Sequence, residues 1–199
     1  MSVPSQYLEK TIQEFSKLPG IGRKSASRIA FHLLGLREDE SRALAQTIID
    51  LKNNILFCRI CGGISDQVEC PICTDSSRDQ SVLCVVENPK DVLNIEKSMH
   101  FKGRYHVLGG VISPLDGIAP EDLNIKNLLE RCRNSSVKEI IIATNPTIEG
   151  DATSAFIAKL VKPSGIKVMR IARGIPVGSD LDYIDIATIS RSIDERTEI

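Results

Sequence analysis

Apolar positions recur with two different periods along this chain, and the change from one to the other divides it. Near the start the spacing is helical: Leu8, Ile12 and Phe15 fall three or four residues apart, which predicts a helix over 5–17. A second helix is predicted from about Arg23 to Leu34, with Ala26, Ile29, Ala30 and Leu33 on one side. A third runs from about Asp39 to Asn54, with Ala43, Leu44, Ile48 and Leu51 facing one way. Beyond residue 81, short continuous apolar runs alternate with amphipathic segments. The runs predict strands at 82–87, 105–112, 138–144 and 166–172, and the segments between them predict helices at 89–98, 120–132 and 151–162. Leu123, Leu128 and Leu129 are the inward positions of the helix at 120–132. Such alternation predicts a mostly parallel sheet covered on both faces. The fold class is therefore a multi-element α/β chain. A helical unit spans 1–54, a cysteine-rich element 55–77, the sheet 78–166 and a short tail 167–199.

Bulk properties narrow the function classes. With 199 residues, 42% apolar and 26% charged, the chain has the make-up of a globular protein. Its first residues are polar, and no apolar run approaches the roughly 20 residues a membrane helix needs. A cytoplasmic location and no membrane partner are expected. The net charge of −1 supplies no global field for nucleic acid, so any such binding must come from a local patch. Trp is absent and aromatics are 4%, which argues against a broad base-stacking platform.

A local patch exists in "LPGIGRKSASRIAFHLL", residues 18–34. A helix begun by "PGIGRK" leaves its first N–H groups unpaired, and Gly20 and Gly22 let the backbone turn sharply and come close to a ligand. Arg23 opens this helix, and Lys24 and Arg28 are one turn apart on the face opposite its apolar side. The arrangement suits an anion such as a sugar-phosphate backbone and reads no base sequence. A plain helix–helix turn with a solvated basic face would use the same pattern. Phe31 lies on the side of Lys24 and Arg28, where a subunit contact would cover it. The stretch resembles a helix-hairpin-helix element, and that resemblance implies that its hairpin grips DNA backbone.

Of six cysteines, four fall within residues 58–73 as Cys58-x2-Cys61 and Cys70-x2-Cys73. Four thiolates at this spacing suit tetrahedral, structural zinc, and Gly62 and Gly63 permit the turn a knuckle needs. Cys84 and Cys132 sit in apolar surroundings and read as core.

Glu87 ends the first strand of the sheet and Asp91 lies four residues on, while Glu149 and Asp151 are expected in the loop after the third strand. Loops at the C-terminal strand ends of a parallel sheet line one crevice, so these four acids can converge and hold Mg²⁺. Alternatively, Asp91 and Asp151 complement helix dipoles. The pattern resembles the Toprim domain of topoisomerases, primases and some nucleases. Its later motif is usually Asp-x-Asp, whereas here Glu149-Gly150-Asp151 stands. Tyr105 and Tyr183 are the tyrosines considered for a nucleophile, and nothing nearby marks either. No Gly-x4-Gly-Lys loop is present, and the tail's apolar stretch with Asp182 and Asp185 is Walker B-like only in outline. His32, His100 and His106 are scattered and read as structural.

The order of these parts resembles the RecR family of bacterial recombination mediators over essentially the whole chain. The motifs that carry it are the hairpin, "CRICGGISDQVECPIC", "SRDQSVLCVVENPKDV", "YHVLGGVISPLDGI", "TIEGDATSAFIAKL" and "RIARGIPVGSDLDYID". The resemblance implies a non-enzymatic clamp on single- and double-stranded DNA that assembles as a ring, often a tetramer, through contacts that include the tail. It also implies RecO and RecF as partners in loading recombinase on single-stranded DNA, with the acids recruiting a basic partner surface. The rival reading is a Mg²⁺-dependent nuclease or primase-like enzyme that uses the same acids.

Overall fold

Ser5 starts the first helix by accepting from the Leu8 amide, and α1 spans Gln6–Ser16. The computed structural model of the chain describes residues 5–134 and 136–196, so the outermost positions of the first and last expected segments lie outside the described residues. The chain divides between Ile55 and Leu56 into two units. In the first, α2 (Arg23–Gly35) packs on α1 through Ile12, Ala26 and Ala30, with Leu8, Phe15 and Ile21 partly buried beside them. Small alanines at the contact let the helices approach closely. At the start of α3 (Glu38–Asn54), Glu40 reaches back to the Arg37 amide at 3.0 Å. The periodicity predicted this helix, yet none of its residues is buried, and Leu44, Ile48 and Leu51 stay exposed.

The second unit begins with a small antiparallel hairpin, β1 (Leu56–Phe57) and β2 (Ile64–Ser65), followed by the short α4 (Pro71–Thr74). Its sheet consists of β3 (Asp79–Val86), β4 (Gly103–Val107), β5 (Glu139–Ala143) and β6 (Lys167–Arg170) in the order β4-β3-β5-β6, all parallel. Alternation along β3 builds two layers. Leu83 and Val85 join Ile140 and Ile142 of β5 against α6 (Ile125–Asn134) and α7 (Ile148–Val161), through Leu128, Ile157 and Val161. Cys84 and Val86 face the other way, onto Tyr105, Val107 and Val92 of α5 (Pro89–Glu96). Both faces are thus covered, as the apolar strands require.

Several elements differ from the sequence reading. The second strand stops at Val107 because Gly109 and Gly110 turn the chain at φ of 87° and 155°. The helix expected over 120–132 is split into a 3-10 turn, Pro120–Asp122, and α6. Leu123 is extended between them, and the Asn124 amide donates to the Leu108 carbonyl at 2.8 Å, drawing the chain to the sheet. The helix expected from 151 starts at Ile148, since Thr147 caps it by accepting from the Gly150 amide at 3.0 Å. Finally, the Walker B-like stretch is not a strand. Asp185 accepts from the Thr188 amide at 2.9 Å and turns the chain into α8 (Ile186–Asp194), behind a 3-10 turn at Leu181–Tyr183. No described helix is long and apolar enough to cross a membrane.

Candidate nucleic-acid interface and metal centre

Gly20 holds φ at 76°, a conformation side chains disfavour, and this closes the hairpin between α1 and α2. Gly22 caps α2 with ordinary extended torsions, and a Cβ there would meet nothing within 4 Å. The chain itself does not demand glycine at 22, and the bareness leaves the helix start open to a ligand. No side chain caps α2, so the Arg23, Lys24 and Ser25 amides lack intrahelical partners. Lys24 and Arg28 are exposed and make no ion pair among the described residues. Arg23 is bridged to Glu9 at 2.7 Å, although its side chain remains 61% exposed. Phe31 is 59% exposed.

The four cysteines are all buried, and their sulfurs lie within 4.8 Å of one another. Tetrahedral zinc with Zn–S near 2.3 Å would set sulfurs roughly 3.8 Å apart, and Cys61 and Cys70 sulfurs stand at 3.6 Å. Two amides already point at thiolate positions: Gly63 N–H donates to Cys61 Sγ at 3.3 Å and Cys70 N–H to Cys58 Sγ at 3.2 Å. The hydrogen bond from Cys73, helped by the Gly63 amide, pulls the Cys61 thiol down to about 5, while burial pushes Cys70 up to about 11. Thiols so crowded share little negative charge unless a cation neutralises them. The donor set fits zinc, which when bound supplies a structural cross-link and no open coordination position. The Cys61 carbonyl accepts from the Val107 amide at 2.7 Å, joining the knuckle to the sheet.

The acids are dispersed in their roles. Among the described residues the cysteines are the one group of three or more potential ligands close enough to share an ion. Glu87, buried, accepts from the backbone N–H and side-chain amide of Asn145, both at 2.6 Å. Asp91 accepts from the Asn88 amide at 2.8 Å and caps α5. Glu149 and Asp151 occupy the first turn of α7 rather than a loop. Between them, a Cβ on Gly150 would collide with the Asn145 carbonyl, so the residue Glu87 holds also dictates glycine in the acid pair. Asp151 is bound by Arg173 (3.0 Å for one pair), Arg170 at 3.3 Å and Arg191 at 3.5 Å. Arg173 holds its carboxyl below the usual range. Nothing in the sequence marks these arginines as its partners, although Arg170 and Arg173 leave β6 beside the start of α7. As placed, the four acids are not a ready Mg²⁺ ligand set.

The remaining candidates divide between the core and the surface. Tyr105 is buried, donates to Glu96 at 2.6 Å, and burial raises its hydroxyl well above the ordinary range, which does not suit a nucleophile. Tyr183 is 87% exposed on the 3-10 turn. Cys84 and Cys132 are core residues. His106 is buried, whereas His32 and His100 are exposed.

Comparison with known proteins covers nearly the whole length. Residues 8–52 match the RecR helix-hairpin-helix, 55–75 the RecR zinc finger domain with four cysteines, 81–172 the Toprim domain and 174–197 the RecR C-terminal region. The chain is also similar to the "Recombination protein RecR" of Acidothermus cellulolyticus, with 53% identity over 192 residues and 96% of each chain covered.

Proposed function

The chain belongs to the RecR family, and from that premise we propose that it is a recombination mediator that holds DNA by its phosphates and makes or breaks no bond itself. Gly20, Gly22 and the first amides of α2 approach the backbone, while Arg23, Lys24 and Arg28 supply the charge. The observation that carries this is the pairing of two exposed cations, in no ion pair among the described residues and one turn apart, with an uncapped helix start. They stand on a helix whose opposite face is buried at Ala26 and Ala30. Such a grip suits single- and double-stranded DNA alike, because it reads no bases. One grip is weak, and a ring of subunits, a tetramer in this reading, multiplies it by avidity. The exposed apolar side of α3 and the tail are the surfaces offered for assembly. RecO and RecF are the partners, with Asp91, Glu149 and Asp151 on the recruiting face and buried Glu87 supporting it through Asn145, and the setting is cytoplasmic. The clasp of arginines on Asp151 and the engagement of Glu87 with Asn145 weigh against Mg²⁺ chemistry at these acids.

The Lys24→Ala/Arg28→Ala double variant tests the reading by anisotropy of labelled oligonucleotides. It folds and assembles like the parent, and its affinity falls about equally for unrelated sequences. The slope of log affinity against log salt becomes shallower by about 0.7–0.9 per lost contact. Unchanged affinity and slope would remove the hairpin from the interface. DNA cleavage or joining that needs Mg²⁺ and stops in Glu87→Gln would overturn the non-catalytic part.

A further inference from the structure

A cavity of about 610 Å³ opens beside the finger, and three guanidiniums, those of Arg59, Arg104 and Arg131, share its wall. Arg131 is held firmly. Its Nη1 donates to the Tyr105 carbonyl at 2.7 Å and lies 3.3 Å from Nδ1 of His106, whose Nε2–H donates to the Asn124 carbonyl at 2.7 Å. Arg104, on the edge strand β4, is different: its Nε is shielded from solvent and meets no hydrogen-bond partner among the described residues. A buried cationic donor without an acceptor is unfavourable, and native structures rarely leave one so. Burial lowers the proton affinity of Arg131, and the charge of Arg104 lowers it further, so the two cations feel each other. Arg104 makes no ion pair among the described residues. Glu69 is taken by Arg59 and Asp75 by Ser77 and Arg78, which leaves Glu130, exposed, as the one carboxylate lining the cavity, against three arginines.

A wall with this many guanidiniums suits a compact, acceptor-rich anion, which meets Arg104 through its terminal nitrogens because the shielded Nε is out of a ligand's reach. Planar guanidinium forks match the oxygens of a phosphoryl group, and the volume is that of a small-molecule site. We infer that the cavity binds a phosphate group, with Arg104 and Arg131 donating to its oxygens and Arg59 closing over it from the finger. The group belongs either to a DNA backbone or to a small phosphorylated molecule. All the lining residues lie in the second unit, so no residue of the hairpin belongs to the site.

Titration calorimetry of the full zinc-loaded chain tests it, with inorganic phosphate and pyrophosphate as probes at ionic strength fixed by chloride. Saturable binding is expected in the parent and in Lys24→Ala/Arg28→Ala. Affinity should be at least about tenfold weaker in Arg104→Gln, equivalent to 1.4 kcal/mol. Gln80 lines the same cavity and is exposed, so the isosteric Gln80→Glu sets a repelling carboxylate there without disturbing the fold, and it should weaken binding likewise. Displacement of pyrophosphate by an unlabelled oligonucleotide assigns the site to DNA backbone, and failure to displace it assigns the site to a small ligand. No phosphate binding by the parent beyond the chloride control would overturn the inference. So would parental affinity in both Arg104→Gln and Gln80→Glu.

Discussion

At the scale of single residues, burial separates groups that look alike in the sequence. Nothing in the pattern distinguishes His106 from His32 or His100, yet only His106 is buried, bonded through one nitrogen to the Asn124 carbonyl and through the other to Arg131. Burial pushes its pKa down to about 4 from an ordinary 6.5. Between those values the unfolded chain takes up a proton that the folded chain refuses. Its contribution to stability is therefore complete above pH 6.5 and is lost as pH falls toward 4, by about 3 kcal/mol in total. Urea denaturation of the parent and of His106→Gln from about pH 7 to 4.5 checks this: the gap between them should narrow steadily. A constant gap would mean that His106 does not titrate in this way. Lys24 and Arg28 were legible because a helical wheel alone sets them opposite Ala26 and Ala30. The Arg104 cavity was not, because its members come from positions 59 to 137 and meet only through the fold.

At the scale of elements, the cysteine knuckles were the plainest signal, since ligand spacing is a local constraint that tertiary context cannot alter. Their attachment was not legible. The Cys61 carbonyl takes the Val107 amide, and Ile72 of α4 packs with the layer of Val92 and Tyr105. Losing one ligand should therefore be felt in the sheet as well as in the finger. Cys61→Ser should retain well under one zinc per chain by elemental analysis and lose about 4 kcal/mol or more of stability. Full zinc content with parental stability would remove the cluster from the fold's support. Helix starts were read less well than helix faces. Thr147 as a cap lengthened α7 backwards and carried Glu149 and Asp151 from a loop into its first turn, while a bond from Asn124 to the sheet cut another helix in two. Caps and tertiary bonds of this kind leave no periodic trace.

At the scale of the whole molecule, alternation of strands and helices revealed a parallel sheet with both faces covered but not the order of its strands, because that depends on which way each crossover runs. Nor did it reveal where the chain's last part rests. Helix α8 contains no buried residue, and its ion pairs run from Arg191 to Asp151 and, just past its end, from Glu195 to Arg170. A segment fastened chiefly by surface charge sits at the low end of local stability and opens without the rest of the protein. Asp151→Asn should let the amides of residues 186–194 trade hydrogen for deuterium about two- to five-fold faster, the worth of one exposed ion pair, while β3 and β5 keep their protection. Unchanged protection would shift the anchor to the half-buried Ile184 and Ile189. Any basic partner that engages Asp151 competes with the arginines for one carboxylate, so the looseness of the last helix becomes a built-in gauge of occupancy, readable from deuterium uptake with no dye attached.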